Sequence, residues 1–174
     1  MRQKYLTEML KEINEESVAK LGLVWSKELG TTRGLEASPL VKDDILYTTG
    51  NWSVVYAFDA KTGELLWVHA EREGLRGGLA PRQLSGRGLA YWTDGQGDER
   101  ILYVTPGYRM IALNAKTGAR VTSFGKDGVV DLKEDDDQQI DPLSPNIGLH
   151  SAPVVANNVI VVGAAHISGA TPVS

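Results

Sequence analysis

The chain has 174 residues, the size of one ordinary domain, with 18 basic and 22 acidic side chains, a net charge of −4 and no cysteine. Charges of both signs are scattered along it, which argues against a nucleic-acid binder. The missing cysteines exclude disulfides, thiolate metal sites and a cysteine nucleophile. Taken in chain order, the opening MRQKYLTEMLKEINEESV carries acids throughout and has no apolar core, so it does not read as an export signal. Either the protein is made without such a signal or this chain begins after it. Thr7 to Ile13 is weakly patterned as a helix. Asn14 is placed to cap a turn through Glu15, Glu16 and Ser17 to Lys20, with acids first and lysine last. Residues 1–22 are therefore expected to be a lead-in with one short helix, and residues 23–174 to be β-structure.

Two short β-prone runs, ASPLV and ILYTT, flank Asp43-Asp44, the pattern of a tight hairpin. SVVYAFDA gives a third run, Lys61-Thr62-Gly63 a turn, and ELLWV a fourth. GLAYW, ILYVT, RMIALNA and ARVTSF repeat this set of four. A third set is expected from near His150, broken off after about Val162. Lys133 to Asp141, acidic and followed by PLSPN, is expected to be a loop between the second and third sets. Val154 to Ala165 is the most apolar stretch, but it is too short for a membrane helix and contains two asparagines.

The runs recur with one period. AFDAKTG (Ala57 to Gly63) returns as ALNAKTG (Ala112 to Gly118), 55 residues later. SPLVKDDILY (Ser38 to Tyr47) returns as APVVANNVIV (Ala152 to Val161), 114 residues later, which is two periods of 57. Four short antiparallel strands per unit of about 50 residues is the signature of a β-propeller blade. The fold class is all-β, with blades at roughly 23–70 and 86–125 and an incomplete one from 150. Three blades do not close a ring, so the chain is expected to be one arc of a larger propeller.

Four blocks in order carry a family resemblance. They are INEESVAKLGLVWSKELG (Ile13 to Gly30), GLEASPLV (Gly34 to Val41), GRGLAYW (Gly86 to Trp92) and SFGKDGVVDL (Ser123 to Leu132). Together with AFDAKTGELLW they resemble the quinoprotein dehydrogenases, which use pyrroloquinoline quinone (PQQ) on an eight-bladed propeller. On the residues alone, Glu36 reads as a solvated acid ahead of a strand. Arg87 reads as one half of a loop salt bridge, and His150 as a loop histidine. The resemblance implies instead that the Glu36 carboxylate accepts a hydrogen bond from the PQQ edge and that the Arg87 guanidinium forks onto a quinone or carboxylate oxygen. His150 stands where the family often has threonine, and the resemblance would have it donate to a PQQ carboxylate. His69 and His166 have no partners at ligand spacing. Trp25, Trp67 and Trp92 are expected to pack between blades rather than stack on a cofactor.

The chain also departs from the family pattern. The two adjacent cysteines that cover one PQQ face in many alcohol-oxidising members are replaced by Pro81 and Arg82. The glutamate that ligands calcium after the third-blade Gly-Ala strand is replaced by His166. The resemblance places the remaining Ca²⁺ ligands and the catalytic aspartate downstream of Ser174, so no catalytic or metal residue is assigned within the chain. It implies oxidation of a small-molecule alcohol or sugar hydroxyl, with electrons passing to a quinone or cytochrome acceptor. It also implies a periplasmic setting, with membrane association left open, and the remainder of the propeller as a partner. The alternative is a non-catalytic propeller of the same repeat, an outer-membrane assembly scaffold that binds proteins by strand addition.

Overall fold

Each AKTG turn is built by the residue that precedes its alanine. Asp59 Oδ1 accepts hydrogen bonds from Lys61 N (2.9 Å), Thr62 N (2.7 Å) and Thr62 Oγ1 (3.0 Å), and Gly63 follows at φ +74°. Asn114 Oδ1 takes the same three bonds from Lys116 and Thr117 (3.0, 3.0 and 3.1 Å), with Gly118 at φ +71°. A short polar side chain thus does the work of a backbone turn, and glycine supplies the left-handed exit. The computed structural model describes residues 13–32, 35–83, 87–134 and 139–166.

The first sheet is β1 (Leu40–Lys42), β2 (Ile45–Thr49), β3 (Val55–Asp59) and β4 (Leu65–His69), antiparallel in that order. Asp43 and Asp44 join β1 to β2 at φ +49° and +61°, the two positive angles of a type I′ hairpin. The second sheet is β5 (Ala90–Thr93), β6 (Glu99–Val104), β7 (Arg109–Asn114) and β8 (Val129–Asp131), again in order. Here the expected fourth strand ARVTSF is corrected. Ala119 to Val121 begins the pairing, through Asn114 N to Ala119 O (2.7 Å) and Val121 N to Ala112 O (2.9 Å). The chain then leaves the sheet in a turn with Gly125, Asp127 and Gly128 all at positive φ, and it is β8 that pairs with β7.

The third unit is one long hairpin in two pieces, and it extends beyond the expected bounds at both ends. β9 (Ile147–Leu149) pairs with β12 (Ala164–His166), and β10 (Val154–Ala156) pairs with β11 (Val159–Val161). Four residues on one side and two on the other interrupt the ladder. Asn157 and Asn158 turn it at φ +49° and +63°, matching Asp43-Asp44. In the lead-in, Asn14 Oδ1 accepts from Glu16 N and Ser17 N (both 3.0 Å), as a cap should, but only a single 3₁₀ turn follows, Val18–Lys20. Thr7 to Glu12 of the expected upstream helix lie outside the described residues. The sequence reading also missed α1 (Gly74–Gly78), a five-residue turn with three glycines.

The sheets stack face on face. Tyr47, Val55, Ala57 and Trp67 of the first bury against Leu89, Ile101, Tyr103, Ile111 and Leu113 at the second. The other face of the second sheet, with Ala90, Leu102 and Ala112, takes Val155 and Ile160 of the third. Tryptophans lock the stack. Trp67 Nε1 donates to Ala115 O at 3.0 Å, and a Cβ added at Gly118 would come within 2.6 Å of its ring. Trp25 does the same one unit earlier, donating to Ala60 O at 3.0 Å and covering Gly63 at 2.7 Å. Trp92 donates to Asn158 Oδ1 at 2.9 Å across the next interface. Trp67 and Trp92 therefore pack between units, and Trp25 packs on the first unit.

On the far face of the first sheet, Val41, Leu66 and Val68 are exposed. The chain alone is expected to bind a hydrophobic dye and to self-associate as its concentration rises. Sedimentation at tens of micromolar together with dye fluorescence checks this, and a monomer that binds no dye contradicts it.

Candidate functional site

Strand register sorts the connections into two ends. The tight Asp-Asp, Asn-Asn and AKTG turns lie at one. At the other lie Glu36 to Ser38, Thr49 to Val55, His69 to Gln83, Arg87 and Gly88, Val104 to Arg109 and Leu149 to Ala152. At this second end the first strands of the three units converge. Ser38 and Gly88 form a parallel bridge, and Gly88 N donates to Thr49 Oγ1 at 3.0 Å. Gly88 has φ +102°, and a Cβ there would lie 3.3 Å from Ser38 O and 3.4 Å from the Ala152 methyl. Only glycine satisfies both the angle and the space.

Arg87, immediately before that glycine, reaches back across the interface to Glu36, with Nη1 to Oε2 at 2.6 Å. The Glu36 side chain is 52% exposed and that of Arg87 only 21%. The Arg87 Nε is buried with no hydrogen-bond partner. A buried charged donor left unpaired is costly and calls for a specific explanation. The structure thus brings two of the three sequence-predicted residues together, as a pair across two units. It does not bring His150 to them: that side chain is exposed in the gap between β9 and β10, and no hydrogen bond or ion pair joins it to either among the described residues.

Beside this centre Pro81 wedges against the third unit. A Cβ at Gly148 would come within 2.7 Å of Pro81 Cδ and 3.1 Å of Pro106 O. Pro81 is half-buried and Arg82 exposed. Gly163, on the opposite strand of the hairpin, leaves room for Ser151 Oγ, which a Cβ would meet at 2.9 Å. Among the described residues no group of three or more His, Asp or Glu is placed to hold a metal.

A polar network that the sequence reading missed fastens the β4–β5 connection over the second sheet. Glu73 accepts from Thr105 Oγ1 (2.7 Å) and Gly107 N (2.5 Å). Arg76 donates to Gly107 O (2.7 Å) and grips Asp131 with two bonds of 2.5 Å. Lys133, in the expected loop, is buried and donates to Pro142 O and Ser144 O. Glu71 pairs with His69 Nε2 (2.6 Å) and with Arg120 Nε (2.9 Å). Burial alone would raise the Glu71 pKa, but hydrogen bonds and charge from His69 and Arg120 outweigh it and hold the carboxyl at about 2.

Because that pKa is depressed, the stability Glu71 contributes is complete above the ordinary value of 4.5 and is lost as pH falls through about 2. The gap in urea midpoint between the parent chain and Glu71→Gln should therefore narrow across that window. A gap independent of pH contradicts it.

The stacked four-stranded antiparallel sheets define a β-propeller arc. The family model for the PQQ glucose/ethanol/alcohol dehydrogenase β-propeller domain matches residues 2–173. Quinohemoprotein alcohol dehydrogenase ADH-IIG of Pseudomonas putida is 36% identical over 155 residues, covering 88% of this chain and 19% of that protein. Its solved structure superposes with a TM-score of 0.69 over 90% of this chain. The structure of quinohemoprotein alcohol dehydrogenase from Comamonas testosteroni superposes with a TM-score of 0.66 at 30% identity, covering 89% of this chain and 21% of that one. A 1-butanol dehydrogenase (cytochrome c) of Thauera butanivorans is 35% identical over 113 residues, covering 64% of this chain and 16% of that protein. The chain belongs to the PQQ-dependent glucose/ethanol/alcohol dehydrogenase β-propeller family. It spans about a fifth of the length of the relatives it matches.

Proposed function

We propose that this chain is one arc of a PQQ-dependent dehydrogenase that oxidises an alcohol or sugar hydroxyl and passes the electrons to a quinone or cytochrome acceptor. The observation that carries this reading is the buried, unpartnered Nε of Arg87 at the convergence of the three first strands. A ligand bearing carbonyl and carboxylate oxygens fits that donor, and PQQ is such a ligand. When bound, PQQ supplies a quinone that accepts two electrons from the hydroxyl-bearing carbon.

The chain's own residues then bind and orient. Arg87 donates to an oxygen of the ligand and stabilises negative charge that develops there. Glu36, half exposed and held by Arg87, presents an acceptor to an N–H on the ligand edge. His150, exposed between β9 and β10, turns toward a carboxylate, and the Pro81 wedge on Gly148 covers the space that a cysteine pair fills in other members. In this reading residues 1–22 are a lead-in and 23–174 part of an eight-bladed ring. Ca²⁺ and the proton-accepting carboxylate are held by the remainder of that ring, and the complete protein works in the periplasm.

The complete polypeptide, reconstituted with PQQ and Ca²⁺, should reduce an artificial dye when ethanol or glucose is added and should do nothing without PQQ. A complete polypeptide that takes up no PQQ, measured by its absorbance after gel filtration, overturns the reading.

A further inference from the structure

We infer that Thr49 is a positioning residue for the cofactor site, acting through Arg87; this rests on the cofactor reading of Arg87 given above. Thr49 ends β2, is only 1% exposed, and is far in sequence from the arginine it serves. Its Oγ1 accepts the Gly88 N–H at 3.0 Å, across the interface between the first two sheets. That N–H belongs to the same planar peptide as the Arg87 carbonyl, so fixing it fixes the backbone on the C-terminal side of Arg87. Gly88 itself adopts φ +102°; its parallel bridge to Ser38 holds the carbonyl side of this peptide, since Pro39 has no N–H to offer, and leaves the Gly88 N–H to Thr49.

The other end of Arg87 is fixed by Glu36 on Nη1. Arg87 is therefore held at its backbone and at its tip, and between the two its Nε remains buried and without a partner. An arginine left to relax would rotate that donor toward some acceptor. One clamped at both ends keeps it free for a ligand, with little reorganisation on binding. Without the Thr49 hydroxyl the Gly88 N–H is orphaned, the peptide keeps only its bridge to Ser38, and the aim of Nε loosens.

The test is PQQ titration of the complete polypeptide, reading the Kd by ligand absorbance. Thr49→Val keeps the shape and removes the acceptor, and should raise the Kd about tenfold. Thr49→Ser restores the acceptor and should bind within about twofold of the parent. Added to Arg87→Ala, Thr49→Val should cost no more than about twofold, because its effect passes through Arg87. If Thr49→Val fails to fold, Thr49→Ala takes its place in the same cycle. Thr49→Val binding as tightly as the parent, or losing a full tenfold again in the Arg87→Ala background, overturns the inference. Arg87→Ala binding PQQ as tightly as the parent removes the cofactor reading itself, and the Thr49 assignment with it.

Discussion

Purified alone and supplied with PQQ, Ca²⁺ and ethanol, the 174-residue chain should reduce no dye above background. The reason is geometric. Glu36, Arg87 and the start of the third hairpin come together at one end of three stacked units, and they offer a ligand one arc of contacts. In the reading proposed above, a ligand on the propeller axis is held from all sides, and the opposite edge, the stacking face, the metal and the base are supplied by the rest of the ring. Loss of a general base alone removes a factor of about 10² to 10⁴. Loss of the metal removes the polarisation of the reacting oxygen as well. A dye-linked assay checks this, and PQQ-dependent turnover by the chain alone would contradict it.

Trp67→Ala should destabilise the stack by about 3–5 kcal/mol, the range for deleting a large buried aromatic side chain. Trp67 is 8% exposed, fills the space above Gly118 and donates to Ala115 O, so its loss opens a cavity and leaves that carbonyl with only the Tyr47 hydroxyl as donor, at 3.1 Å. Trp52→Gly is the contrast. Trp52 is 46% exposed and sits at φ +58°, an angle that suits glycine, so the change should stay within about 1 kcal/mol. Urea unfolding at sub-micromolar concentration measures both. Equal losses in the two variants would mean that the tryptophan lock does not hold the units together.

What was legible in the sequence was local. The AKTG turn announces itself because Asp59 and Asn114 bond to amides two and three residues ahead. The Asp-Asp and Asn-Asn hairpins announce themselves because their angles suit these side chains. The alternation of the first strands and the tryptophans ahead of the first and second units, Trp25 and Trp67, could be read in the same way. The fourth strand of the second sheet could not. ARVTSF is more β-prone than VVD, yet Gly125, Asp127 and Gly128 fold a turn between them, and the backbone of Arg109 to Ile111 takes its partners from Val129 to Asp131. Nor could the pairs between distant units be read. Nothing around Arg76, in a run of glycines, points to Asp131, and nothing around Thr49 points to Gly88. Glu36 and Arg87 were reached through the resemblance, but their pairing with each other is a property of the folded stack. His150 fell in the gap between β9 and β10, where the break in the ladder has no mark in the sequence.

The central claim is that the Arg87 end of the stack faces the cofactor. The measurement that bears on it most directly is the PQQ affinity of the complete polypeptide carrying Arg87→Ala, set beside Arg109→Ala. Arg109 begins the third strand of its sheet at the same end as Arg87 but two strands out from β5, half exposed, with Glu73 at 3.7 Å. Arg87→Ala should weaken PQQ binding by about tenfold or more, on the scale of one lost charge-assisted hydrogen bond. Arg109→Ala should leave it unchanged. Equal affinities for the two variants would contradict the account.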